Sequence, residues 1–276
     1  MTKILFLGDI FAKTGRLLVK ELLPRLFGEL SLDLALANGE NAAGGRGLTG
    51  PTAKELFDHG LAALSGGNHT LQRKDFLETL DQEPRVIRPA NYPEPCPGRG
   101  WTILETPTHK VGFANLIGRL FMPNVLDCPF KAADRVIEEM AKAGAQITII
   151  DFHAETTSEK KALAHYLDGR VSALLGTHTH VQTNDCQILP KGLAYVTDAG
   201  MTGPHDSVIG MGAAEVVLRF VTGRPFSYKP AETGGRLEGV VLDFNDQGLA
   251  QSVIPLSVPL ATSVPLATGQ PALTEV

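Results

Sequence analysis

The segment at residues 176–180 reads Gly-Thr-His-Thr-His and carries two imidazoles two residues apart. It follows the apolar run Val171–Leu175, which is typical of a buried strand. If extended backbone continues through His178 and His180, both rings point to the same side of the chain. Two rings on one side can reach a single metal cluster.

Four other apolar runs also end in polar residues of the kinds that bind metals. These residues are Asp9 after Ile4–Leu7, Glu40 and Asn41 after Leu34–Ala37, Asn68 and His69 after Ala62–Leu64, and His153 after Ile147–Ile150. In α/β sheets, ligands bind beyond the carboxyl ends of the strands, so we expect these side chains to meet. The pattern predicts a hydrolase that uses two metal ions.

The donor atoms of this set are carboxylate and amide oxygens and imidazole nitrogens, without sulfur. This mixture suits two divalent or trivalent ions, with iron or manganese favoured and zinc left open, and it disfavours copper. The number of imidazoles disfavours calcium. A pair of ions also needs a bridging carboxylate, for which Asp9 and Glu40 are the candidates.

Each of these residues also has an ordinary structural interpretation. Asp9 could cap a helix, Glu40 could lie in a surface loop, and His153 could be a buried histidine with satisfied hydrogen bonds. Asn68 before His69 is also a common turn dipeptide in a glycine-rich loop. The metal-site hypothesis therefore rests on the occurrence of such residues at all five strand ends together.

Composition limits the class of protein. The chain has 276 residues, 43% of them apolar and 20% charged, which is ordinary for a soluble globular protein. Its net charge of −5 predicts no extended surface for nucleic acid, although metals can supply local positive charge for a small phosphorylated ligand. We expect no signal peptide and no membrane-spanning segment, because no apolar run is long enough.

The three cysteines, Cys96, Cys128 and Cys186, are dispersed and form no Cys-x-x-Cys pair. This spacing predicts a reducing, cytoplasmic setting and argues against a thiolate zinc site. The sequence does not decide between a monomer and a homo-oligomer.

Hydrophobic periodicity predicts strands alternating with helices in the first part of the chain and mainly strands later. The expected strands are Lys3–Gly8, Leu34–Ala37, Leu61–Ser65, Ile147–Phe152 and Val171–Gly176, a hairpin of Trp101–Glu105 and Lys110–Asn115, and later antiparallel strands at Leu193–Val196, Gly239–Phe244 and Ala250–Ile254. The expected helices are Arg16–Phe27, which Pro24 should bend or shorten, Pro51–His59, Phe76–Leu80, Phe130–Ala143 and Ser158–Leu167. This order favours an α/β fold in which two sheets pack on each other with helices outside.

Residues 1–254 are expected to form one domain. Residues 255–276 are rich in proline, and the near repeat of Ser257–Thr262 in Ser263–Thr268 is uncharged. We expect these residues to form an extended, weakly ordered tail.

The order of the motifs resembles that of the calcineurin-like metallophosphoesterases. Their pattern is an N-terminal Asp, a second carboxylate, Gly-Asn-His, a single His and Gly-x-His-x-His. In this chain the blocks are Gly8-Asp9, Gly39-Glu40-Asn41, Gly67-Asn68-His69, His153 and Gly176–His180. The resemblance covers residues 1 to about 180 and implies a four-layer αββα sandwich.

Two departures from that pattern point to a narrower branch. The usual Asp-x-His is Asp9-Ile10-Phe11 here, and the usual Gly-Asp is Gly39-Glu40. Residues 38–47, Asn-Gly-Glu-Asn-Ala-Ala-Gly-Gly-Arg-Gly, are similar to a signature of the YmdB-type 2′,3′-cyclic-nucleotide 2′-phosphodiesterases. Residues 88–91 and 198–204 also resemble that branch.

The resemblance implies a ligand set for each ion. Asp9, Glu40, Asn41 and His180 would hold one ion, with Asn41 in the place of the missing histidine. The other ion would be held by Glu40, Asn68, His153 and His178, so that Glu40 bridges the pair. His69 would stand beside the metals without binding them.

The chemistry of phosphodiester hydrolysis agrees with these assignments. A hydroxide bridging two cations is a nucleophile at neutral pH, and the cations neutralise charge on the phosphoryl group. A departing sugar oxygen needs a proton, and His69 is placed to act as the general acid. The alternative for His69 is a histidine that only hydrogen bonds to a ligand.

The glycine-rich loop Ala42–Gly50 brings Arg46 to a position where it could clamp a phosphate, and Thr202 is a second candidate for substrate contact. The alternative for this loop is a flexible surface segment. Asp151, Asp185 and Asp198 are candidates for orienting the histidines.

The resemblance implies hydrolysis of a 2′,3′-cyclic nucleotide to a 3′-nucleotide, whereas the residues themselves indicate only phosphoester hydrolysis by two metals. One alternative is a broad-specificity phosphomonoesterase or phosphodiesterase. Another is a regulatory protein that binds metals and nucleotide without turnover.

Overall fold

The computed structural model describes residues 1–123 and 125–260. In chain order the strands are β1 Thr2–Leu7, β2 Asp9–Ile10, β3 Leu34–Asn38, β4 Ala63–Ser65, β5 Val86–Ile87, β6 Trp101–Glu105, β7 Lys110–Ile117, β8 Ile147–His153, β9 Ala173–Thr177, β10 Gln187–Ile188, β11 Ala194–Val196, β12 Met201–Pro204, β13 Gly235–Phe244 and β14 Ala250–Pro259. The helices are α1 Ala12–Leu30, α2 Gly50–Asp58, α3 Leu77–Gln82, α4 Pro129–Lys142, α5 Thr157–Leu167 and α6 Ala213–Thr222, and a 3₁₀ turn at Lys74–Phe76 precedes α3.

The strands form two sheets. The first runs in the order β2-β12-β13-β1-β3-β4-β5, with β14 paired to β13, and the second runs β10-β11-β9-β8-β7-β6. Strands β1, β3, β4 and β5 are mutually parallel, and so are β7, β8, β9 and β11. Each sheet therefore collects several carboxyl strand ends at one edge.

Alternation along β1 shows how the layers pack. Ile4 and Phe6 face the second sheet, whereas Leu5 and Leu7 face α1 and α2. The second sheet shows the same alternation. Ile149 of β8 faces the first sheet, whereas the next residue, Ile150, packs against α4 and α5. The layers are thus helices, sheet, sheet and helices, and the expected αββα sandwich is confirmed.

Local sequence signals explain several helix boundaries. The Thr49 side chain accepts a hydrogen bond from the Thr52 backbone N–H, and Pro51 lies in the first turn of α2. Helix α1 is longer than predicted, beginning at Ala12 and continuing past Pro24 to Leu30. No helix within the two described ranges combines the length and the apolar character that crossing a bilayer requires.

The later part of the chain differs from the prediction in several places. Strand β11, expected to be antiparallel, lies parallel to β9 and is antiparallel only to β10. Strand β12 and helix α6 were not predicted. Strand β14 continues to Pro259, so the expected boundary at residue 255 falls inside a strand, and residues 261–276 of the expected tail lie outside the described residues.

The contact between Phe6 and Phe113 provides a test of the packing between the sheets. Both rings are fully buried, and their centroids lie 6.2 Å apart in an edge-to-face arrangement. Phe113→Ala should lower the free energy of unfolding by about 3–5 kcal/mol, because it leaves a cavity between the sheets. Urea denaturation of the variant and of Phe121→Ala, whose ring is 89% exposed, measures the difference. Equal losses in both variants would contradict the proposed packing.

Candidate metal centre

Five loops and strand ends bring the predicted ligand residues together at the carboxyl edge of the two sheets. Asp9 lies in β2, and His153 is the last residue of β8. The remaining residues follow β3, β4 and β9, and they are Glu40, Asn41, Asn68, His69, His178 and His180. Asp9, Glu40 and His153 are at most 1% exposed, so this is a buried polar cluster.

The ring nitrogen Nε2 of His153 is the centre of one group of donor atoms. It lies 2.9 Å from Asn68 Oδ1, 3.1 Å from Glu40 Oε1 and 3.0 Å from His178 Nδ1. One imidazole N–H can serve only one of these atoms. The group therefore holds more lone pairs than protons, which is the arrangement that a bound cation satisfies.

The other nitrogen of His153 is oriented by a chain of hydrogen bonds. The Thr177 hydroxyl donates to Asp151 Oδ1 over 2.7 Å, so its oxygen is left to accept from His153 Nδ1, 2.9 Å away. In the neutral ring, which is the form that binds a metal, a proton on Nδ1 leaves the lone pair of Nε2 directed at the cluster. Such carboxylate-linked orientation is usual for metal-binding histidines.

A second group of donor atoms lies around Asp9 and His180. His180 Nε2 is 3.6 Å from Asp9 Oδ1 and 3.2 Å from Asn41 Nδ2. His180 Nδ1 donates to the Ile209 carbonyl over 2.9 Å, which leaves Nε2 as the atom that can bind a metal.

Glu40 belongs to both groups. Its Oε1 atom is 3.1 Å from His153 Nε2 and 3.3 Å from Asn41 Nδ2. Its Oε2 atom accepts from the His69 backbone N–H over 2.9 Å. This central position is the one that a bridging carboxylate requires.

Asn41 directs its amide nitrogen, not its oxygen, at the second group. The Oδ1 atom instead lies 2.8 Å from His69 Nδ1. Because only the oxygen can bind a metal, the amide has to turn over for Asn41 to act as a ligand. The turned amide would still hydrogen bond to His69, through its nitrogen.

The backbone around His178 and His180 differs from the prediction. Strand β9 ends at Thr177, and the two histidines have φ angles of 99° and 63°, outside the extended region. Both rings reach the cluster, but a loop delivers them, not a continued strand. The His178 backbone N–H donates to Asp9 Oδ2 over 3.0 Å, which fixes this left-handed conformation to the opposite sheet.

The carboxylates and histidines of the cluster shift one another's pKa values. Burial alone would raise the pKa values of Asp9 and Glu40, but the neighbouring histidines outweigh it and lower both, so the two carboxylates are charged at neutral pH. Burial opposes a charge on His153, yet Glu40 and Asp9 outweigh it and raise its pKa to about 9. Burial, together with the charge on His153, lowers the pKa of His178 to about 3. Two buried carboxylates that hold a proton on an imidazole form a site that attracts cations.

The donor set fits a metal ion on chemical grounds. Glu40, His153 and His178 each offer a ligand atom, and these atoms all lie within 4.8 Å of one another. His178 Nε2 lies 3.0 Å from Glu155 Oε2, so its Nδ1 is the atom that faces the cluster. Sequence reasoning missed Glu155, which follows β8 by two residues in the loop before α5.

The three aspartates proposed to orient histidines have different partners. Asp151 accepts hydrogen bonds from the side chains of Ser65 over 2.5 Å, Thr177 over 2.7 Å, Asn38 over 2.9 Å and Asn115 over 3.4 Å. Burial raises the pKa of Asp151 to about 6. Only Asp151 orients a candidate ligand through such a chain.

Asp198 supports the histidine loop from behind. Its Oδ2 accepts from the backbone N–H and the hydroxyl of Thr179 at 3.1 and 2.8 Å, and it forms a 2.9 Å ion pair with the buried Lys160. Asp185 instead binds Thr183 and Thr197 and supports the strand end behind this loop.

A cavity of about 470 Å³ opens beside the cluster. His69, His178 and His180 line the side next to the cluster, and the rest of the wall is mainly apolar. That wall is formed by residues that sequence reasoning did not select, namely Phe11, Val208, Ile209, Met211, Val216, Phe220 and Tyr228. The rings of Phe11 and His180 pack edge to face, with their centroids 5.5 Å apart. Phe11 occupies the position where the calcineurin-like pattern usually has a histidine, and here it orients His180.

The two predicted substrate contacts have different outcomes. Arg46 is exposed and lines the cavity. Thr202 is fully buried in β12, where its hydroxyl donates to the Glu238 carbonyl and accepts from the Glu238 backbone N–H. A side chain buried in this way cannot contact substrate, so that prediction for Thr202 is wrong.

Comparisons with known proteins identify the family of this chain. A family model described as YmdB-like protein matches residues 5–256. The chain is 47% identical over 245 residues to the 2′,3′-cyclic-nucleotide 2′-phosphodiesterase of Bacillus subtilis, and the match covers 89% of this chain and 92% of that protein.

Two crystal structures have the same fold. A protein from Thermus thermophilus is 42% identical with a TM-score of 0.87, and the match covers 94% of this chain and 99% of that one. A phosphatase from Mycoplasma pneumoniae is 33% identical, also with a TM-score of 0.87, over 94% and 93% of the two chains. The family model and these identities confirm the resemblance, and the chain belongs to the family of YmdB-like proteins.

Proposed function

We propose that this chain is a two-metal phosphodiesterase that hydrolyses 2′,3′-cyclic nucleotides to 3′-nucleotides. The observation that carries the proposal is the convergence of three further donor atoms within 3.1 Å of His153 Nε2, beside a cavity lined by His69. The Bacillus subtilis relative is a 2′,3′-cyclic-nucleotide 2′-phosphodiesterase, which supports the choice of substrate and of the 2′ bond.

The proposed ligand sets follow the two groups of donor atoms. One ion would be held by Asp9, Glu40, Asn41 and His180. The other would be held by Glu40, Asn68, His153 and His178. Iron or manganese suits this oxygen and nitrogen set, and zinc remains compatible with it. When bound, the two ions lower the pKa of water and neutralise charge on the phosphoryl oxygens.

His69 is the proposed general acid. Its Nδ1 atom is held 2.8 Å from Asn41 Oδ1 and 3.2 Å from Glu40 Oε1, so Nε2 is the nitrogen left for substrate. As the oxygen of water bonds to phosphorus, the bond from phosphorus to the 2′ oxygen breaks, and that oxygen takes the proton from Nε2. The ribose then carries a 3′-phosphate and a free 2′-hydroxyl.

The cavity beside the cluster gives the nucleotide a place to bind. A base can pack on the apolar wall that includes Phe11, Ile209 and Tyr228. Stacking on aromatic rings discriminates weakly between bases, because every base has an aromatic face. Arg46 stands at the same cavity as a candidate contact to a phosphoryl oxygen.

A substrate comparison tests the proposed function. Protein freed of metal by a chelator should be inactive and should regain activity on a 2′,3′-cyclic nucleotide when iron or manganese returns. Turnover of the cyclic diester should exceed that of a linear diester and a phosphomonoester. Equal turnover of all three would indicate a broad-specificity phosphoesterase, and nucleotide binding without turnover would indicate a regulatory protein.

The central position of Glu40 predicts unequal effects of two substitutions. Glu40→Ala should remove or disorder both ions, whereas Asn41→Ala should leave about one ion per chain, because Asn41 touches only one group. Elemental analysis of the purified variants measures this, with circular dichroism to confirm folding. The same metal content in both variants would argue against the bridging role.

The role of His69 predicts dependence on the leaving group. General-acid catalysis is typically worth about 10²–10⁴-fold, so His69→Ala should lose activity by that order on a 2′,3′-cyclic nucleotide. The loss should be clearly smaller on a nitrophenyl phosphodiester, whose leaving group departs without a proton. Both ions should remain bound.

Two outcomes would count against this role. Equal losses on both substrates at full metal occupancy would assign His69 to positioning the phosphate. Loss of metal would instead give it a structural role at Asn41 and Glu40.

A further inference from the structure

A second cavity of about 580 Å³ adjoins the first and is lined by arginines. Arg46 and Arg219 line both cavities, together with Met211 and Tyr228, so the two spaces lie side by side. Arg73 lines only the second cavity. A group bound at the metal cluster can therefore extend into a space with three guanidinium groups.

The positive charge of these arginines is largely uncompensated. Within residues 1–123 and 125–260, neither Arg46 nor Arg219 has a carboxylate oxygen within 4.0 Å. Arg73 Nη2 lies 3.3 Å from Asp75 Oδ2, but this carboxylate is 62% exposed, and such surface pairs contribute little. The Arg73 Nε atom is buried and has no hydrogen-bond partner in the described part of the chain, although buried donors are normally paired.

The fold brings the arginines together through the glycine-rich loop. Gly47 has a φ angle of 76°, and a Cβ atom there would lie 2.7 Å from Cγ of Arg73. The loop thus leaves room for the Arg73 side chain to lie across it, beside Arg46 of the same loop. From the other side, α6 brings Arg219, whose guanidinium carbon lies 5.6 Å from the centroid of the Tyr228 ring.

This concentration of arginine exceeds what a plain cyclic nucleotide requires. The cyclic phosphate carries one negative charge and is the group that the metals would neutralise. The chain as a whole is negative, with a net charge of −5, so the arginines are a local exception. The planar guanidinium group matches the oxygens of a phosphate, and arginine is the residue favoured for phosphate recognition.

We infer that the second cavity binds a phosphate carried on the 5′ oxygen of the substrate. The preferred substrate is then a 2′,3′-cyclic nucleotide that has a 5′-phosphate, either as a free 5′-phosphorylated nucleotide or as the 3′ end of an oligoribonucleotide. The base and the 5′ carbon both lie on the side of the ribose away from the cyclic phosphate. A nucleotide bound at the metals can therefore place its base on the apolar wall and its 5′ oxygen toward the arginines. This inference rests on the proposed phosphodiesterase activity.

Three substrates of the metal-loaded protein test the inference. They are a nucleoside 2′,3′-cyclic phosphate, the same compound with a 5′-phosphate, and a dinucleotide that ends in the cyclic phosphate. Charge-assisted hydrogen bonds to a phosphate should raise kcat/KM at least about tenfold for substrates with the added group. A gain shared by both indicates recognition of the phosphate alone, and a gain only with the dinucleotide indicates that the preceding nucleotide contributes.

Arg73→Gln is the informative variant, because Arg73 lines the second cavity but not the first. The ratio of kcat/KM with and without the 5′-phosphate should fall to within roughly twofold of one, while Arg73→Lys should keep part of the gain. Arg25→Gln, on the exposed face of α1, is the matched control and should keep the full ratio. Raising the salt concentration should reduce the ratio in the wild type and leave it nearly unchanged in Arg73→Gln.

The outcomes separate the two proposals. Hydrolysis of the plain cyclic nucleotide without any gain from a 5′-phosphate overturns this inference and leaves the proposed function standing. A gain that persists in Arg73→Gln also overturns it. Absence of hydrolysis of all three substrates by the metal-loaded protein would overturn the proposed function itself.

Discussion

The buried carboxylate of Asp151 is the hydrogen-bonding centre on which the site depends. It stands in β8 and accepts from Asn38 of β3, Ser65 of β4, Asn115 of β7 and Thr177 of β9. Those strands belong to both sheets, so one side chain fixes the relative position of their carboxyl ends. Because Thr177 in turn orients His153, the alignment of the sheets and the direction of a candidate ligand depend on the same group. Charged groups buried at such a junction are costly unless they are fully hydrogen bonded, and Asp151 meets that condition.

Sequence reasoning found the ligand-type residues because short apolar runs identify buried parallel strands, and parallel strands end at a common edge. It could not give the conformation that delivers His178 and His180. Asp9 accepts from the backbone N–H of His178 and Asp198 from that of Thr179, so residues outside this loop hold its left-handed backbone. Tertiary contacts decided the local structure at these residues.

The substrate side of the site was harder to predict for a different reason. Helix α6 buries only Val216 among its residues and exposes most of its apolar side chains, so its pattern does not resemble that of a helix packed on a core. Thr202 was chosen because it lies within residues 198–204, which resemble the narrower branch, but β12 places its hydroxyl against Glu238. Phe11 carried a signal, since an aromatic residue stood where a histidine is usual, and in the structure it packs on His180 and lines the cavity.

Strand β14 has a further consequence for how the molecule behaves in a crowded solution. It hydrogen bonds to β13 and to no other strand within the described residues, so it leaves one side of the first sheet open. An open side of this kind can template the addition of strands from other molecules, which leads to aggregation. Pro255 and Pro259 lie in this strand and lack the backbone N–H that a continuous ladder needs. The same prolines that suggested an extended, weakly ordered tail therefore protect the sheet against growth from one molecule into the next.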